Sequence, residues 1–402
     1  MKRLVLGAAV IAAAAPAHAA PCESLPGSKV YAQVGDTQLN LMKRLGRALR
    51  DSPTRPVTLV FATSGSCDNI NAIYMRVPFA TGRTLQYIPS TQEDAAWTPA
   101  SATRTCEAPT TAEGLRVPDI ANSALFTSAC PGGAPAPATV HLIQGPAQAY
   151  VMATPLASSQ QAITFEEAYF VFGFGAAGMV LPWINEAQLF IRTVTKSTLL
   201  AWAANIGVPA AKWKGVMRDG SPMVVADLTT STSVDQAIGI LGAEVYDGLR
   251  DKLKALAFRA KGQHAAYFPD STSTSRDKKN VRDGHYTVWS PTIWMDTTNA
   301  SGTPLDANAR YITELIAGRS VVPDPGFSMI ELIAAVGLVP DCAMGVSREL
   351  EGGPLKLYTP AQSCVCKYES IVDPAAASCA TCTAGGAPCA SGTCRAGFCE
   401  VQ

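Results

Sequence analysis

Cysteine placement constrains this chain more than any other feature. Cys22, Cys67, Cys106 and Cys130 are spread through the first third, and none occurs between 131 and 341. Cys342, Cys364, Cys366, Cys379, Cys382, Cys389, Cys394 and Cys399 crowd the last 61 residues. An even number of cysteines in an exported chain reads as a disulfide framework, so all twelve are disulfide candidates. In the first group the short-range pair is Cys106–Cys130, around a Pro/Thr/Ala-rich loop, which leaves Cys22 and Cys67 for each other. The Cys-free middle must cohere by apolar burial alone. The tail from about Pro340 is small residues, Gly, Pro and Cys, too poor in apolar material for a core, so cross-links must hold it. Its segment "CATCTAGGAPCASGTCRAGFC" reads as a knotted module; zinc is disfavoured, because the tail has no histidine and the compartment is oxidising.

Export is read from the start of the chain. Lys2 and Arg3 precede an apolar run from Leu4 to Ala15, and Ala17-His18-Ala19 fits a small-residue cleavage site, giving a signal peptide over 1–19. Cys22 follows closely, but Pro21 stands where a lipobox carries a small residue, so a soluble periplasmic or extracellular protein is expected rather than a lipoprotein. The apolar stretch from Ala168 to Ile184 carries Gly173, Gly175, Gly178 and Pro182 and no basic flank, and reads as buried core, so no transmembrane segment is expected in the mature chain. Lys plus Arg equals Asp plus Glu, 32 each, which removes the basic surplus that nucleic-acid binding needs. With 402 residues, two domains and a small extra one can be accommodated.

Lys29–Val34 and Val57–Ala62 read as strands flanking a helix with apolar positions Leu41, Met42, Leu45 and Leu49, the start of a parallel α/β sheet. Residues 89–118 read as a surface excursion, followed by strands at Thr139–Ile143 and Ala149–Ala153. Thr164 to Glu167 is a capping box, and Ser233 with Gln236 offers a second, ahead of Ile238–Leu241. A charged helix is expected over about 244–255, a polar loop over 269–286, and helices at Ala309–Ala317 and Ser328–Val336.

Several chemistries can be set aside. Gly173 to Gly178 matches G-x-G-x-x-G, but a capped helix precedes it and Pro182 follows, so it is not a nucleotide fingerprint. Ser64-Gly65-Ser66-Cys67 is not a nucleophile elbow, and nothing in the spacing of His141, His264 and His285 builds a triad. Asp270, Asp277 and Asp283 fit no standard cation loop and read as a solvated turn. No catalytic residue, metal or cofactor is expected.

What remains is a pair of strand-to-helix turns dense in donors: Thr63-Ser64-Gly65-Ser66, and Arg192 to Thr198, with two cations and four hydroxyls in seven residues. A helix N-terminus presents free N–H groups and the positive end of a dipole, which suits a tetrahedral oxyanion. Gly65 allows close backbone approach, and Arg192 can add a bidentate pair.

These turns, with Gly35-Asp36-Thr37, "DIANSALF" (119–126), "IRTVTKST" (191–198), "AIGIL" (237–241) and "NVRDGHYTVWSP" (280–291), resemble type II periplasmic solute-binding proteins, specifically the phosphate-binding component of ABC transporters, over roughly residues 24–340. The resemblance implies a two-lobed α/β fold, lobe 1 from 22–150 plus 285–340 and lobe 2 from 151–284, with the Cys-rich tail, 341–402, outside it. It also implies an anionic, phosphate-like solute in the interlobe cleft, an ABC permease as partner, and ligand contacts from Thr37, Ser64, Gly65, Ser66, Ser123, Arg192, Thr195, Lys196, Ser197 and Thr198. The departures are specific. Lys196 and Ser197 stand where the family has Ser and Gly, and its acids are replaced by Val194 and Ala124. A carboxylate in such a site accepts only from a protonated oxyanion, so losing it should relax discrimination against sulfate. Trp202 is expected in the core, while Trp289 is a candidate cleft-lining aromatic. A second reading is an extracellular or envelope interaction protein that uses the fold as scaffold and the Cys-rich tail for contact.

Overall fold

Segments that are apolar at nearly every position need cover on both faces, and they form the centre of this molecule. The computed structural model describes residues 19–110, 114–374, 379–383, 389–390 and 392–400; the expected signal segment, apart from residue 19, lies outside them. Strand β1 (Ser28–Gly35) leads through a 3-10 turn at Asp36–Gln38 into α1 (Leu39–Arg50), β2 (Val57–Ser64) and α2 (Ser66–Tyr74). Leu41, Met42, Leu45 and Leu49 of α1 are buried against the sheet, as their spacing predicts. Short strands β3 (Thr84–Tyr87) and β4 (Arg104–Glu107) precede β5 (Ile120–Ser123). The two strands expected at 139–153 are one, β6 (Val140–Pro155), carried through Gly145-Pro146.

Beyond β6 come β7 (Ala162–Thr164), α3 (Phe165–Phe174), β8 (Leu189–Arg192), α4 (Ser197–Ile206), β9 (Val216–Arg218), α5 (Ser221–Thr230), β10 (Ile238–Gly242), α6 (Ala243–Tyr246), β11 (Leu253–Ala255), β12 (Ala257–Arg259) and α7 (Lys279–Arg282). The return strand β13 (Trp289–Thr297) is followed by α8 (Ala307–Ile316) and α9 (Met329–Ala334). Thr164 and Glu167 form the expected reciprocal cap. Gly207, at φ +69°, ends α4 in the left-handed conformation.

Among the described residues the main sheet has eleven strands in the order β4-β3-β2-β1-β5-β13-β6-β10-β8-β9, with β11 also on β6. β1 pairs in parallel with β2 and β5, and β8 in parallel with β9 and β10. β6 joins the two halves: up to Ala149 it pairs with β13, and from Tyr150 with β10. The result is a two-lobed α/β fold with a disulfide-rich C-terminal tail.

Four elements differ from expectation for identifiable reasons. Ser233 and Gln236 close a turn instead of capping a helix, because Ile238–Gly242 is buried at every position and serves as a central strand. The helix expected over 244–255 is a single turn, α6, after which Leu253 and Ala255 turn inward around Lys254 with strand period. The solvated turn read at 269–286 contains a buried ion cluster: Lys278 Nζ lies 2.7 Å from Asp247 and 2.9 Å from Asp270, and Arg250 binds both carboxylates. The stretch from Ala168 to Ile184 is only half core. Ala168, Val171, Phe172 and Trp183 are buried, but Phe170, Phe174, Met179 and Leu181 are exposed, because Gly178 packs against the Phe170 carbonyl and turns the chain back.

All twelve cysteines are paired, and the first group differs from the sequence reading: the bonds are Cys22–Cys106 and Cys67–Cys130. Sequence proximity misled, because strand pairing carries Cys106 beside the N-terminal segment, where Pro21 bridges Glu107, and α2 brings Cys67 to the loop after β5. The tail bonds are Cys342–Cys364, Cys366–Cys379, Cys382–Cys394 and Cys389–Cys399. Cys382, Cys389 and Cys399 lie close together, but their sulfurs are spent on disulfides.

The tail is not a separate bead. Strands β14 (Val346–Ser347) and β15 (Lys356–Leu357) are followed by α10 (Val365–Val372), whose Tyr368 is fully buried. Glu369 pairs with Arg282, Lys367 with Glu331 on α9, and the Glu351 carboxylate accepts from Ser290 on β13. The terminal ribbon, β16 (Thr393–Arg395) and β17 (Phe398–Glu400), returns the Glu400 carboxylate to the N–H groups of Cys366 and Lys367 at the start of α10.

Non-reducing peptide mapping should recover linked peptides for Cys22–Cys106 and Cys67–Cys130; a Cys106–Cys130 peptide would contradict this topology. Replacing Cys67 and Cys130 together by serine should cost about 2–4 kcal/mol in urea unfolding, because a cross-link over this separation restricts the unfolded chain.

Candidate functional site

The C-terminal ends of β1, β2 and β5 from one lobe, and of β8 and β10 from the other, arrive at one seam, and α1, α2, α4 and α6 start there. In open α/β sheets this is where ligands bind. The anchor is Arg192, the last residue of β8, whose side chain has no solvent exposure. Its Nε donates to the Arg218 carbonyl, Nη1 to Ser221 Oγ at 2.6 Å, and Nη2 to the Asp219 carbonyl and to Asp36 Oδ2, both at 2.7 Å. Asp36 belongs to the opposite lobe, so this pair crosses the seam.

Gly65 allows the lobes to meet. A Cβ there would come within 2.9 Å of both the carbonyl and the hydroxyl oxygen of Thr195, and 2.8 Å of Asp68. The Cys67 N–H at the start of α2 donates to that Thr195 carbonyl at 3.4 Å. Ser66 Oγ accepts from the Ala124 N–H at 3.1 Å, while the Ala124 carbonyl accepts from the Tyr150 hydroxyl, which also meets Ser197. The Asn122 side chain accepts from the Gly35 N–H at 2.8 Å.

The residues singled out from the sequence therefore fall into three groups. Thr37, Ser66, Arg192, Thr195, Ser197 and Thr198 stand at the starts of helices along the seam or at the end of β8, with Gly65 between them. Ser64, Ser123 and Lys196 spend their polar ends locally, on Asp68, the Leu125 carbonyl and Asp219 respectively. Thr37 and Thr198 are the two buried hydroxyls among these residues left without a partner; the far ends of Gln38, Asn122 and Glu244 at the same seam are also unpaired among the described residues. Both threonines are buried, one at a helix start in each lobe, and their hydroxyls have no hydrogen-bond partner among the described residues.

Sequence reasoning missed the middle of the seam. Gln38 Nε2 donates to Gln148 Oε1 at 2.5 Å, and Gln148 Nε2 to Glu244 Oε2 at 3.1 Å. Glu244 is 4% exposed, and burial pushes its carboxyl well above the ordinary glutamate range; a local backbone hydrogen bond opposes this, Asp36 and Asp247 reinforce it, and Arg192 opposes it again. No local motif marks Gln148 or Glu244, which meet only because Gly242 pairs with Tyr150 across β10 and β6. Asp36, singled out only as part of Gly35-Asp36-Thr37, places a carboxylate on Arg192 from the opposite lobe.

Other candidates resolve as packing. His285 stacks on Tyr267 and His141 pairs with Asp296. Trp202 packs edge-on to Phe258 in the core, and Trp289, a candidate for the cleft or the core, is 2% exposed beneath Arg348 and belongs to the core. Among the described residues no helix is long and apolar enough to cross a membrane.

No protein-family model matches the sequence, and no curated protein matches it. Solved structures do. A protein from Clostridium perfringens, named as the substrate-binding protein of a phosphate ABC transporter and solved with bound phosphate, aligns with TM-score 0.50 and 14% identity, covering 78% of this chain and 99% of its own. An ABC-type phosphate transport receptor from Vibrio cholerae aligns with TM-score 0.47 and 13% identity, covering 78% and 100%. The first likeness establishes the fold: this chain is similar to phosphate-binding substrate-binding proteins in architecture and adds the disulfide-bonded tail.

Glu244 generates a pH prediction. Below the ordinary glutamate pKa it is neutral in the folded and unfolded chain alike. As pH rises past that value the unfolded chain ionises first, so stability falls until the raised folded-state pKa is passed. Glu244→Gln should flatten this decline in urea unfolding between pH 4 and 9, read as the difference from the parent; an unchanged slope would contradict the raised carboxyl.

Proposed function

We propose that the chain is an exported solute-binding protein that holds a small oxyanion, phosphate foremost, at the seam around Arg192, for ABC-type uptake or sensing outside the cytoplasm. The lobes that hold it are residues 22–150 with 285–340, and 151–284. The observation that carries this reading is the pair of buried hydroxyls, Thr37 and Thr198, left without partners at a helix start in each lobe, on the seam that holds the buried Arg192. Buried polar groups are nearly always satisfied, and each exception calls for an explanation. An oxyanion is a suitable acceptor for both, with further hydroxyls from Ser66, Thr195 and Ser197; to join them, Ser64 and Gly65 would have to give up Asp68, Ser123 the Leu125 carbonyl and Lys196 Asp219. Asp36 adds selectivity: a carboxylate on Arg192 accepts a hydrogen bond from a protonated phosphate but repels sulfate. No catalytic role is proposed.

The second reading, an envelope interaction protein, draws on a specific feature as well. The seam closes on itself, with Asp36 occupying Arg192 and the Thr195 carbonyl occupying the start of α2. In that case the terminal ribbon, rather than the cleft, makes the functional contact. Removing the tail from residue 341 would strip Tyr368 and Cys364 from the core, so a fair truncation ends at 374, with Cys366→Ser.

The test is thermal unfolding of the mature protein, freed of phosphate, against inorganic phosphate and sulfate. Phosphate at about a hundredfold its dissociation constant should add about 2.7 kcal/mol of stability. Thr37→Val and Thr198→Val, which remove hydroxyls without orphaning a partner, should weaken binding about fivefold each while leaving the unliganded melting temperature unchanged or higher. Asp36→Asn should narrow the preference for phosphate over sulfate. Absence of any anion response would leave the scaffold reading standing.

A further inference from the structure

A cavity of about 430 Å3 lies where both lobes and the tail meet. The first lobe contributes Arg44 from α1, with Pro99 and the turn at 334–337; the second contributes Glu244, Asp247 and Arg276; the tail contributes Ile371 and Val372 from the end of α10. Its size is that of a small organic ligand site and far exceeds the need of one inorganic oxyanion.

The charge lining it is unbalanced. Arg44 and Arg276 have no hydrogen bond or ion pair among the described residues. The two acids beside them do not neutralise them. Asp247 is already bound by Lys278 at 2.7 Å and Arg250 at 2.5 Å. Glu244 is buried, its Oε2 accepts from the Gln148 amide, and burial raises its carboxyl well above the ordinary glutamate range. The remaining wall is largely apolar, from Pro99, Ala334, Val336, Ile371 and Val372. Two uncommitted guanidiniums with an apolar wall suit a molecule that has an anionic head and a hydrocarbon body.

We infer that this cavity is a second ligand site, taking an organic carboxylate whose head is held by Arg44 and Arg276 and whose apolar body lies against Val336, Ile371 and Val372. Glu244 is the lining residue shared with the seam, but none of the five that would hold the carboxylate belongs to the seam around Arg192, so this inference does not rest on phosphate binding. It also gives the appended tail a ligand-facing role, because Ile371 and Val372 complete the wall.

The experiment is isothermal titration of the mature full-length chain with octanoate and with 3-phenylpropionate in phosphate-free buffer, with octylamine and inorganic phosphate as separate titrants. Both carboxylates should bind and octylamine should not. Arg44→Gln and Arg276→Gln should each weaken carboxylate binding about tenfold, and the double variant more, while the response to inorganic phosphate stays as in the parent. Val372→Asp, placed in the apolar wall, should abolish carboxylate binding without altering the guanidiniums. Failure of both carboxylates to bind at millimolar concentration overturns the inference, as does binding that survives loss of both arginines. Unfolding curves of each variant separate a lost site from a lost fold. The seam proposal fails or stands by phosphate alone, so the two outcomes are distinguishable.

Discussion

A guanidinium taken wholly out of water must have its donors satisfied, or the fold carries a penalty of several kcal/mol. Arg192 meets that demand from three directions: the β9 carbonyl at Arg218, the start of α5 at Ser221, and Asp36 from the opposite lobe. The last of these commits the two lobes to one relative position. Gly65 against Thr195, and Tyr150 against Ala124 and Ser197, then follow as contacts that only a closed seam permits. The seam is thus organised by one charge that cannot be left alone, and it leaves the hydroxyls of Thr37 and Thr198 unpaired, one in each lobe.

Cross-links and apolar burial divide the rest of the stabilisation between them. From 131 to 341 the chain has no cysteine, and its elements cohere through a continuous cluster that includes Tyr150, Phe172, Trp202 and Phe258. In the tail the balance reverses. Four disulfides join residues 342–399, and Glu400 caps α10 with its carboxylate. Yet α10 also sends Tyr368 into the main cluster, so the tail is anchored by the same burial that holds the lobes.

Much of this organisation could be read from residue order. The helical stripe of α1, the reciprocal cap at Thr164 and the hand-over from β8 to α4 depend on neighbours within a few positions, and all appear where expected. What could not be read depends on distant pairing. The choice of Cys106 for Cys22 follows from sheet register, and Gln148 meets Glu244 only through antiparallel pairing of strands far apart in sequence. Asp36 was visible, but its role was not: a carboxylate that caps a helix locally looks the same in sequence as one that reaches a buried arginine. Arg44 and Arg276 carried no signal, since a surface arginine is unremarkable until its neighbours are found to be committed elsewhere.

The anchoring of the tail bears on how quickly a solute could come and go. Two-lobed receptors that swing freely on their connecting strands admit ligand at rates near those of diffusion. Here α10 grips α9 on one side through Lys367–Glu331 and the α7 turn on the other through Glu369–Arg282, adding a third connection beyond the strands that pass between lobes. Such a strap ties both lobes to the tail and narrows the excursion available to each. On the proposed reading, a solute would then exchange through small-amplitude openings, and slow release rather than rapid sampling would follow from the tail.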